Sequence, residues 1–165
     1  MKVYVASSWR NALQPAVVLA LREAGHEVYD FRNPAPGNHG FAWSQIDPAW
    51  QTWSPATFRA ALGHPIAAEG FGHDMRALRS ADATVLVLPC GRSAHLELGW
   101  AAGHRQRTAV LIPEPCEPEL MYSMLGAICT DIGQVVSWLR TGQAPLRIVE
   151  RAPWAGDLEE PGAHG

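Results

Sequence analysis

Short apolar segments alternate with longer amphipathic segments along most of the chain. Residues 83–88 are apolar throughout, which is typical of a strand buried on both faces of a parallel sheet. The apolar segments predict five strands, at residues 2–6, 27–31, 83–88, 108–112 and 127–129. Helical spacing of apolar residues predicts five helices, at residues 15–24, 65–80, 94–102, 118–124 and 132–140.

This alternation predicts an α/β fold. Short connections between strands and helices favour right-handed crossovers, and therefore a three-layer sandwich around a parallel sheet. We expect a flavodoxin-like order of the five strands. In that architecture ligands bind beyond the carboxyl ends of the strands, between the first strand and the third. The segments to consider for function are therefore residues 7–11 and residues 89–95.

Two parts of the chain interrupt the alternation. A loop rich in Pro, Gly and Asn, residues 33–40, leads into a tryptophan-rich insert at residues 41–58. The last residues, 150–165, are rich in Pro, Gly and acids, and we expect a disordered tail there. Residues 1–149 are then one domain, which agrees with a length of 165 residues and a hydrophobic content of 47%.

Charge and composition narrow the possible partners. A formal net charge of −3 without a basic cluster disfavours a nucleic-acid polymer but leaves a single nucleotide open. Neither an export signal nor an apolar run of bilayer length is visible, so we expect a cytoplasmic protein without a membrane span. The three cysteines lack Cys-x-x-Cys spacing and the histidines lack ligand spacing, which disfavours a disulfide frame and a metal site.

The candidate chemistry lies after the third strand, where residues 89–99 turn through glycine into a helix. We expect Glu97 near the first turn of this helix, where the free N–H groups and the dipole favour an ionised carboxylate. An ionised carboxylate beside an anomeric carbon can act as a nucleophile, while a second carboxyl group protonates the leaving group. Asp74 and Asp82 are candidates for that second role. The alternative is that these acids only complement a dipole, cap a turn or face solvent.

Four segments together resemble the nucleoside 2-deoxyribosyltransferase family, which includes related nucleotide N-glycoside hydrolases. They are residues 3–9, Asp74 with the Ala81–Asp82 pair, the apolar strand at residues 83–88, and residues 97–103. The resemblance covers most of residues 2–130. It implies a covalent glycosyl intermediate on Glu97, with Tyr4 assisting and Asp74 handling the base, and without a metal or an organic cofactor.

The resemblance also implies a substrate site and an assembly. Family members are homo-oligomers whose sites borrow residues from a neighbouring subunit, and residues 118–121 resemble the segment that is lent. The expected ligand is a nucleoside or a nucleotide. Its predicted contacts come from the loops after the first and third strands and from the lent segment: Ser7, Ser8, Trp9, Gly91, Arg92, Ser93, Glu119 and Met121.

Two departures from the family pattern bear on the substrate. An acidic residue that reads the base six positions before the nucleophile is replaced here by Gly91, so base recognition must differ. Glu119 would repel a 5′-phosphate unless Arg92 neutralised it, whereas a helix N-terminus at residues 91–93 suits a phosphate. Nucleoside and 5′-monophosphate therefore both stay open, as do transfer to a second base and hydrolysis.

The tryptophan-rich insert has two interpretations. It forms a lid in which Trp43 stacks on the base and Asp47 pairs with base N–H groups. Alternatively it is an amphipathic helix whose tryptophans fill the core or a subunit interface, with Asp47 as a helix cap.

A non-catalytic nucleotide sensor on the same fold is the alternative to an enzyme. His95 is two positions before Glu97 and therefore lies on a different side of the helix.

Overall fold

The computed structural model describes residues 1–144, so the tail predicted at residues 150–165 lies outside the described residues. The sheet has five parallel strands in the order β2-β1-β3-β4-β5, which confirms the flavodoxin-like prediction. The strands are β1 (Lys2–Ala6), β2 (Glu27–Asp30), β3 (Ala83–Val87), β4 (Arg107–Leu111) and β5 (Ala127–Cys129). The strand order reverses between β1 and β3, so the carboxyl ends of these two strands border the crevice where such folds bind ligands.

Helices cover both faces of the sheet. They are α1 (Gln14–Glu23), α2 (Pro55–Ala61), α3 (Pro65–Ser80), α4 (Arg92–Gly103) and α5 (Ile132–Thr141). Side chains alternate along β1, so Val3 and Val5 pack with α1 and α5 while Tyr4 and Ala6 pack with α3 and α4. Every residue of β3 is buried, as its apolar sequence predicts. The result is the predicted three-layer sandwich.

Helix α4 begins earlier than the sequence indicates. It starts at Arg92 instead of Ala94, with Gly91 in the capping position and no side chain bonded to the free N–H groups. Glu97 therefore lies in the second turn of α4, not in the first. Ala94, Leu98 and Ala101 are buried on the sheet-facing side of the helix, and the helical repeat places Glu97 beside them.

The tryptophan-rich insert is not one amphipathic helix, so that interpretation is wrong. It consists of two short 3-10 helices, Trp43–Gln45 and Trp50–Thr52, followed by α2. Ser54 accepts a hydrogen bond from the Thr57 backbone N–H and Pro55 occupies the first turn, which explains why α2 begins there. The helix predicted at residues 118–124 is a 3-10 helix at Leu120–Met124. Within residues 1–144 no helix has both the length and the apolar character needed to cross a membrane.

Candidate active site

Two tyrosines on neighbouring strands form the floor of the candidate site. Tyr4 of β1 and Tyr29 of β2 are partners in the parallel register, so their side chains leave the sheet on the same face. Their rings stack with centroids 5.2 Å apart and an interplanar angle of 18°. Tyr4 is buried and Tyr29 is partly exposed, so the pair leads from the core toward the surface.

Each tyrosine is paired with a carboxyl group from a helix above the sheet. The Tyr29 hydroxyl donates a hydrogen bond of 2.8 Å to Oδ1 of Asp74, which α3 supplies. The Tyr4 hydroxyl donates to the carboxylate of Glu97, which α4 supplies. The structure thus brings together the three residues predicted to be catalytic and adds Tyr29. We call these four residues the carboxyl–tyrosine cluster.

The two carboxyl groups of the cluster resist ionisation. The pKa of Glu97 is raised to about 8: burial is the largest cause, the nearby Asp74 carboxylate acts in the same direction, and the Tyr4 hydrogen bond opposes both. Burial likewise raises the pKa of Asp74, and the Tyr29 hydrogen bond opposes the shift. The prediction that the helix dipole keeps Glu97 ionised is therefore wrong. Dipole effects fall off within the first turn, and Glu97 lies beyond it in a desolvated position.

The tyrosines remain protonated donors beside these acids. Burial raises the pKa of Tyr4 far above its ordinary value of 10.0, and the charges on Glu97 and Asp74 raise it further. The pKa of Tyr29 is raised for the same reasons, with Asp74 as the main charge. Each hydroxyl therefore keeps a hydrogen with which to orient its carboxylate.

Comparison with solved structures finds a 2-deoxyribosyltransferase from the psychrotolerant bacterium Bacillus psychrosaccharolyticus, described as a biocatalyst for the synthesis of nucleosides. The sequences are 21% identical, the TM-score is 0.55, and the match covers 82% of this chain and 90% of that chain. The chain shares the fold of a 2-deoxyribosyltransferase. No protein-family model and no curated protein matches the sequence. The common fold agrees with the resemblance found in the sequence.

In this 2-deoxyribosyltransferase fold a cavity of about 410 Å³ opens at the Asp74 end of the cluster. Its walls come from β2, the loop after it, the insert and α3. The lining includes Tyr29, Phe31, Asn38, Phe41, Gln45, Glu69, His73 and Asp74, whereas Tyr4 and Glu97 do not line it. The cavity therefore reaches Asp74 directly, and Glu97 lies deeper, on the α4 side.

Trp43 and Asp47 of the insert are predicted substrate contacts, but neither residue lines that cavity. The Trp43 ring packs edge-on against Phe41, Trp53 and Phe58, with centroid distances of 4.8, 5.6 and 5.8 Å. Asp47 accepts hydrogen bonds from the Trp53 indole N–H and from the Ala49 backbone N–H. These side chains hold the insert together, and Phe41 and Gln45 are the insert residues that reach the cavity.

The loop after β1 is fixed to the end of β3. Ser7 donates a hydrogen bond of 2.9 Å to the Val87 carbonyl and accepts one from Asn11. Asn11 is 2% exposed and also donates to the carbonyls of Val87 and Pro89, at 3.1 Å each. The predicted contact Ser7 is thus engaged within the protein, and Asn11 positions the loop at the point where the strand order reverses.

The rest of this loop presents an aromatic ring. Arg32 donates hydrogen bonds to the carbonyls of Ser8, Trp9 and Asn11, which holds the backbone in place. The Ser8 hydroxyl accepts from the Arg10 backbone N–H. Trp9 is half exposed, with its ring edge-on to Phe31 at 5.3 Å. Because Phe31 lines the cavity, Trp9 stands close to its wall.

The remaining predicted contacts are exposed. Gly91, Arg92 and Ser93 lie at the surface at the start of α4. Glu119 is exposed and accepts a hydrogen bond from the Met121 backbone N–H, and Met121 itself is 56% exposed. The single chain does not bury these side chains against the cluster. Among residues 1–144 no group of three or more His, Cys, Asp or Glu side chains is arranged to hold a metal ion.

Sequence reasoning missed Tyr29, the partner of Asp74. The residue stands in a predicted strand with nothing to set it apart from an ordinary strand tyrosine. The signal becomes visible only when β1 and β2 are paired in parallel, because Tyr4 then lies opposite Tyr29. Cys90 is a second neighbour of the cluster, since the pKa of its thiol is raised to about 11 by burial and then by the Glu97 charge.

Proposed function

We propose that the chain is a retaining N-glycosyl transferase or hydrolase of the nucleoside 2-deoxyribosyltransferase family, acting on a nucleoside or nucleotide. The observation that carries this proposal is the carboxyl–tyrosine cluster, in which two interacting carboxyl groups are each oriented by a tyrosine hydroxyl. The shared fold of a 2-deoxyribosyltransferase supports it. Two carboxyl groups with separate roles are what glycosidic cleavage with retention requires.

The proposed reaction has two displacements. In the first, a carboxylate oxygen of Glu97 attacks the anomeric carbon while the carbon–nitrogen bond breaks and its electron pair goes to the base. Asp74, in its acid form, gives its proton to the departing base. In the second, a free base or water attacks the same carbon, Asp74 takes a proton from it, and the ester to Glu97 breaks.

The electrostatics of the cluster let its two acids share one proton. The step needs one carboxyl group ionised and the other protonated at the same time. Burial and the mutual repulsion of Glu97 and Asp74 disfavour double ionisation, so the pair retains one proton near neutral pH. In the free cluster the raised pKa of Glu97, about 8, keeps that proton on Glu97. In the proposed productive arrangement the proton has moved to Asp74, and the Tyr4 hydrogen bond stabilises the charge on Glu97.

We place the base in the cavity beside Asp74. A volume of about 410 Å³ lies within the range usual for small-molecule sites. Phe41 offers an aromatic face, while Gln45 and His73 offer polar groups that can read the edge of a base. This arrangement supplies base recognition where Gly91 carries no side chain. It places the leaving nitrogen toward Asp74 and the sugar toward Glu97.

Hydrolysis of a nucleoside 5′-monophosphate is the second candidate. It is favoured by the start of α4, where no side chain caps the free N–H groups and Arg92 is exposed beside them. Such a helix terminus binds an anion well. The sugar 5′-position would then point to residues 91–93.

The deciding experiment incubates the pure protein with a panel of nucleosides and 5′-monophosphates, with and without a free acceptor base, and follows base release by chromatography. We expect release that falls at least about a thousandfold in Glu97→Gln and less steeply in Asp74→Asn. Glu23→Gln, an exposed acid on α1, is the matched control and should retain full activity.

The panel also separates the alternatives. Release only when a free base is added indicates a transferase, and release without one indicates a hydrolase. A preference for 5′-monophosphates favours the second candidate. Binding of a nucleotide without release from any substrate, unchanged in Glu97→Gln, would contradict the enzyme and favour a nucleotide sensor.

A further inference from the structure

The segment between β4 and β5, residues 113–125, packs in the core only at its C-terminal end, through Tyr122 and Leu125. Residues 113–121 are all exposed. The backbone hydrogen bonds of Tyr122 and Leu125 stay inside the segment, with acceptors at Glu119 and Tyr122. Within residues 1–144, the hydrogen bond between Tyr122 and His95 is the one that ties this segment to another element.

The geometry of that bond is well defined. Nε2 of His95 lies 2.9 Å from the Tyr122 hydroxyl, and the two rings are nearly parallel, with an interplanar angle of 8°. Nδ1 of His95 lies 3.1 Å from the Gly91 carbonyl, which can only accept. Nδ1 of the neutral ring therefore carries the hydrogen, and Nε2 accepts from the hydroxyl of Tyr122. Tyr122 itself is 8% exposed and packs in the core beneath α4.

The bond joins two parts of the candidate site. His95 belongs to α4, two residues before Glu97, and Tyr122 follows directly after Glu119 to Met121. Cys90 is a neighbour of His95, with its sulfur 3.5 Å from Nδ1 of the ring, and the charge of Glu97 acts on its thiol. The segment therefore lies on the α4 side of the cluster, away from the cavity at Asp74.

We propose that His95 and Tyr122 are positioning residues, whose hydrogen bond fixes the segment at residues 119–122 relative to α4. Neither side chain touches the reacting atoms. The bond sets where Glu119 and Met121 stand when a substrate binds. Only this effect on substrate binding rests on the proposed function, since the attachment itself is a property of the fold.

The first test is amide hydrogen exchange in Tyr122→Phe, which removes the hydroxyl and keeps the ring. The amides of Met121, Tyr122 and Leu125 should exchange about two- to tenfold faster, since the loss of one hydrogen bond changes a local opening equilibrium by about that factor. Amides of β3 and β4 should not change. Ser80→Ala is the matched control, because it removes an exposed hydroxyl bond at the end of α3. Unchanged exchange in Tyr122→Phe would overturn the proposal.

The second test is kinetic and uses the substrate that the panel identifies. Tyr122→Phe and His95→Ala should raise KM severalfold and leave kcat within about twofold, because packing still holds Glu97. His95→Gln, which offers an amide oxygen to Tyr122, should recover most of the wild-type KM. Faster exchange with an unchanged KM would overturn the positioning role. If the wild type turns over no substrate, the proposed function fails, and the exchange result alone decides whether the bond fixes the segment.

Discussion

Glu97 stands in a position that disfavours its own charge. It lies on the sheet-facing side of α4, next to buried apolar residues and near the carboxylate of Asp74. A position used only for packing would be filled more cheaply by an apolar residue. Perturbed carboxyl groups that interact across a cleft are a feature of catalytic sites, and the two tyrosine donors give each acid a different environment.

The raised pKa of Glu97 makes the stability of the fold depend on pH. Its ordinary value is 4.5 and its value in the folded chain is about 8. Between these values the folded state binds a proton that the unfolded state has released, so the free energy of unfolding falls as pH rises. Relative to wild type, Glu97→Gln should gain on the order of 2 to 4 kcal/mol between pH 4.5 and pH 8.

Chemical denaturation at several pH values measures this difference. The control is Glu23→Gln, which replaces an exposed acid and should follow the wild-type curve. A Glu97→Gln curve parallel to wild type across this window would show that Glu97 ionises as easily as in the unfolded chain. The pH range avoids strong acid, where other carboxyl groups such as Asp30 also titrate. Burial raises the pKa of Asp30, but the hydrogen bonds to its carboxylate outweigh burial and lower the pKa below its ordinary value.

At the scale of residues the sequence predicts the acids better than their surroundings. The resemblance selects Tyr4, Asp74 and Glu97, and the structure brings all three together. It does not select Tyr29, because the pairing of Tyr29 with Asp74 depends on strand register and on the position of α3. The ionisation of Glu97 was also mispredicted, since a helix that starts two residues earlier removes Glu97 from the first turn.

At the scale of elements, α3 shows how the insert is attached. A β-carbon added at Gly70 would lie 2.8 Å from Cβ of Phe41, which means that the insert packs directly on the helix backbone there. At Gly72 the nearest atom is the flexible end of Arg76, at 3.3 Å. The first glycine is thus needed for the contact between α3 and the insert, and the second is not.

These two glycines provide a matched prediction. Gly72→Ala should stabilise the fold by about 0.5 to 1 kcal/mol, because alanine is the better helix former. Gly70→Ala should give no such gain, since Phe41 must move and its contact with Trp43 is disturbed. Because Phe41 lines the cavity, Gly70→Ala should also weaken substrate binding. Denaturation curves and KM values measure both effects, and equal stabilisation by the two variants would disprove the close contact.

The regular elements were predictable and the insert was not. Strand and helix bounds fall within two residues of the prediction in most cases, because the periodicity of apolar residues reports which face is buried. The alternation of strands and helices predicts a parallel sheet with right-handed crossovers, and the strand order agrees with the flavodoxin-like expectation. In the insert, Trp43 packs on Phe41, Trp53 and Phe58. Such aromatic contacts follow no fixed sequence period, so neither the 3-10 helices nor α2 could be derived from the sequence of the insert.

At the scale of the whole molecule, three exposed apolar side chains are candidates for a subunit contact. Leu96, Leu120 and Met121 are 75%, 82% and 56% exposed, on α4 and on the 3-10 helix that His95 and Tyr122 connect to it. Exposed apolar side chains of this size are found at interfaces. We therefore extend the proposed function to a homo-oligomer in which residues 119–121 of one subunit complete the site of its neighbour.

Mixing two inactive variants tests this shared site. Glu97→Gln lacks the proposed nucleophile, and Met121→Glu places a charge in the segment that would be lent. Each alone should be inactive, but a dimer formed from one copy of each contains one site with both residues intact. Random exchange of subunits should therefore restore about a quarter of the wild-type activity. Leu19→Glu is the control, because it adds the same charge at an exposed leucine on α1, outside the lent segment. This variant should be active alone. No recovery after confirmed subunit exchange would place both residues in the site of a single chain.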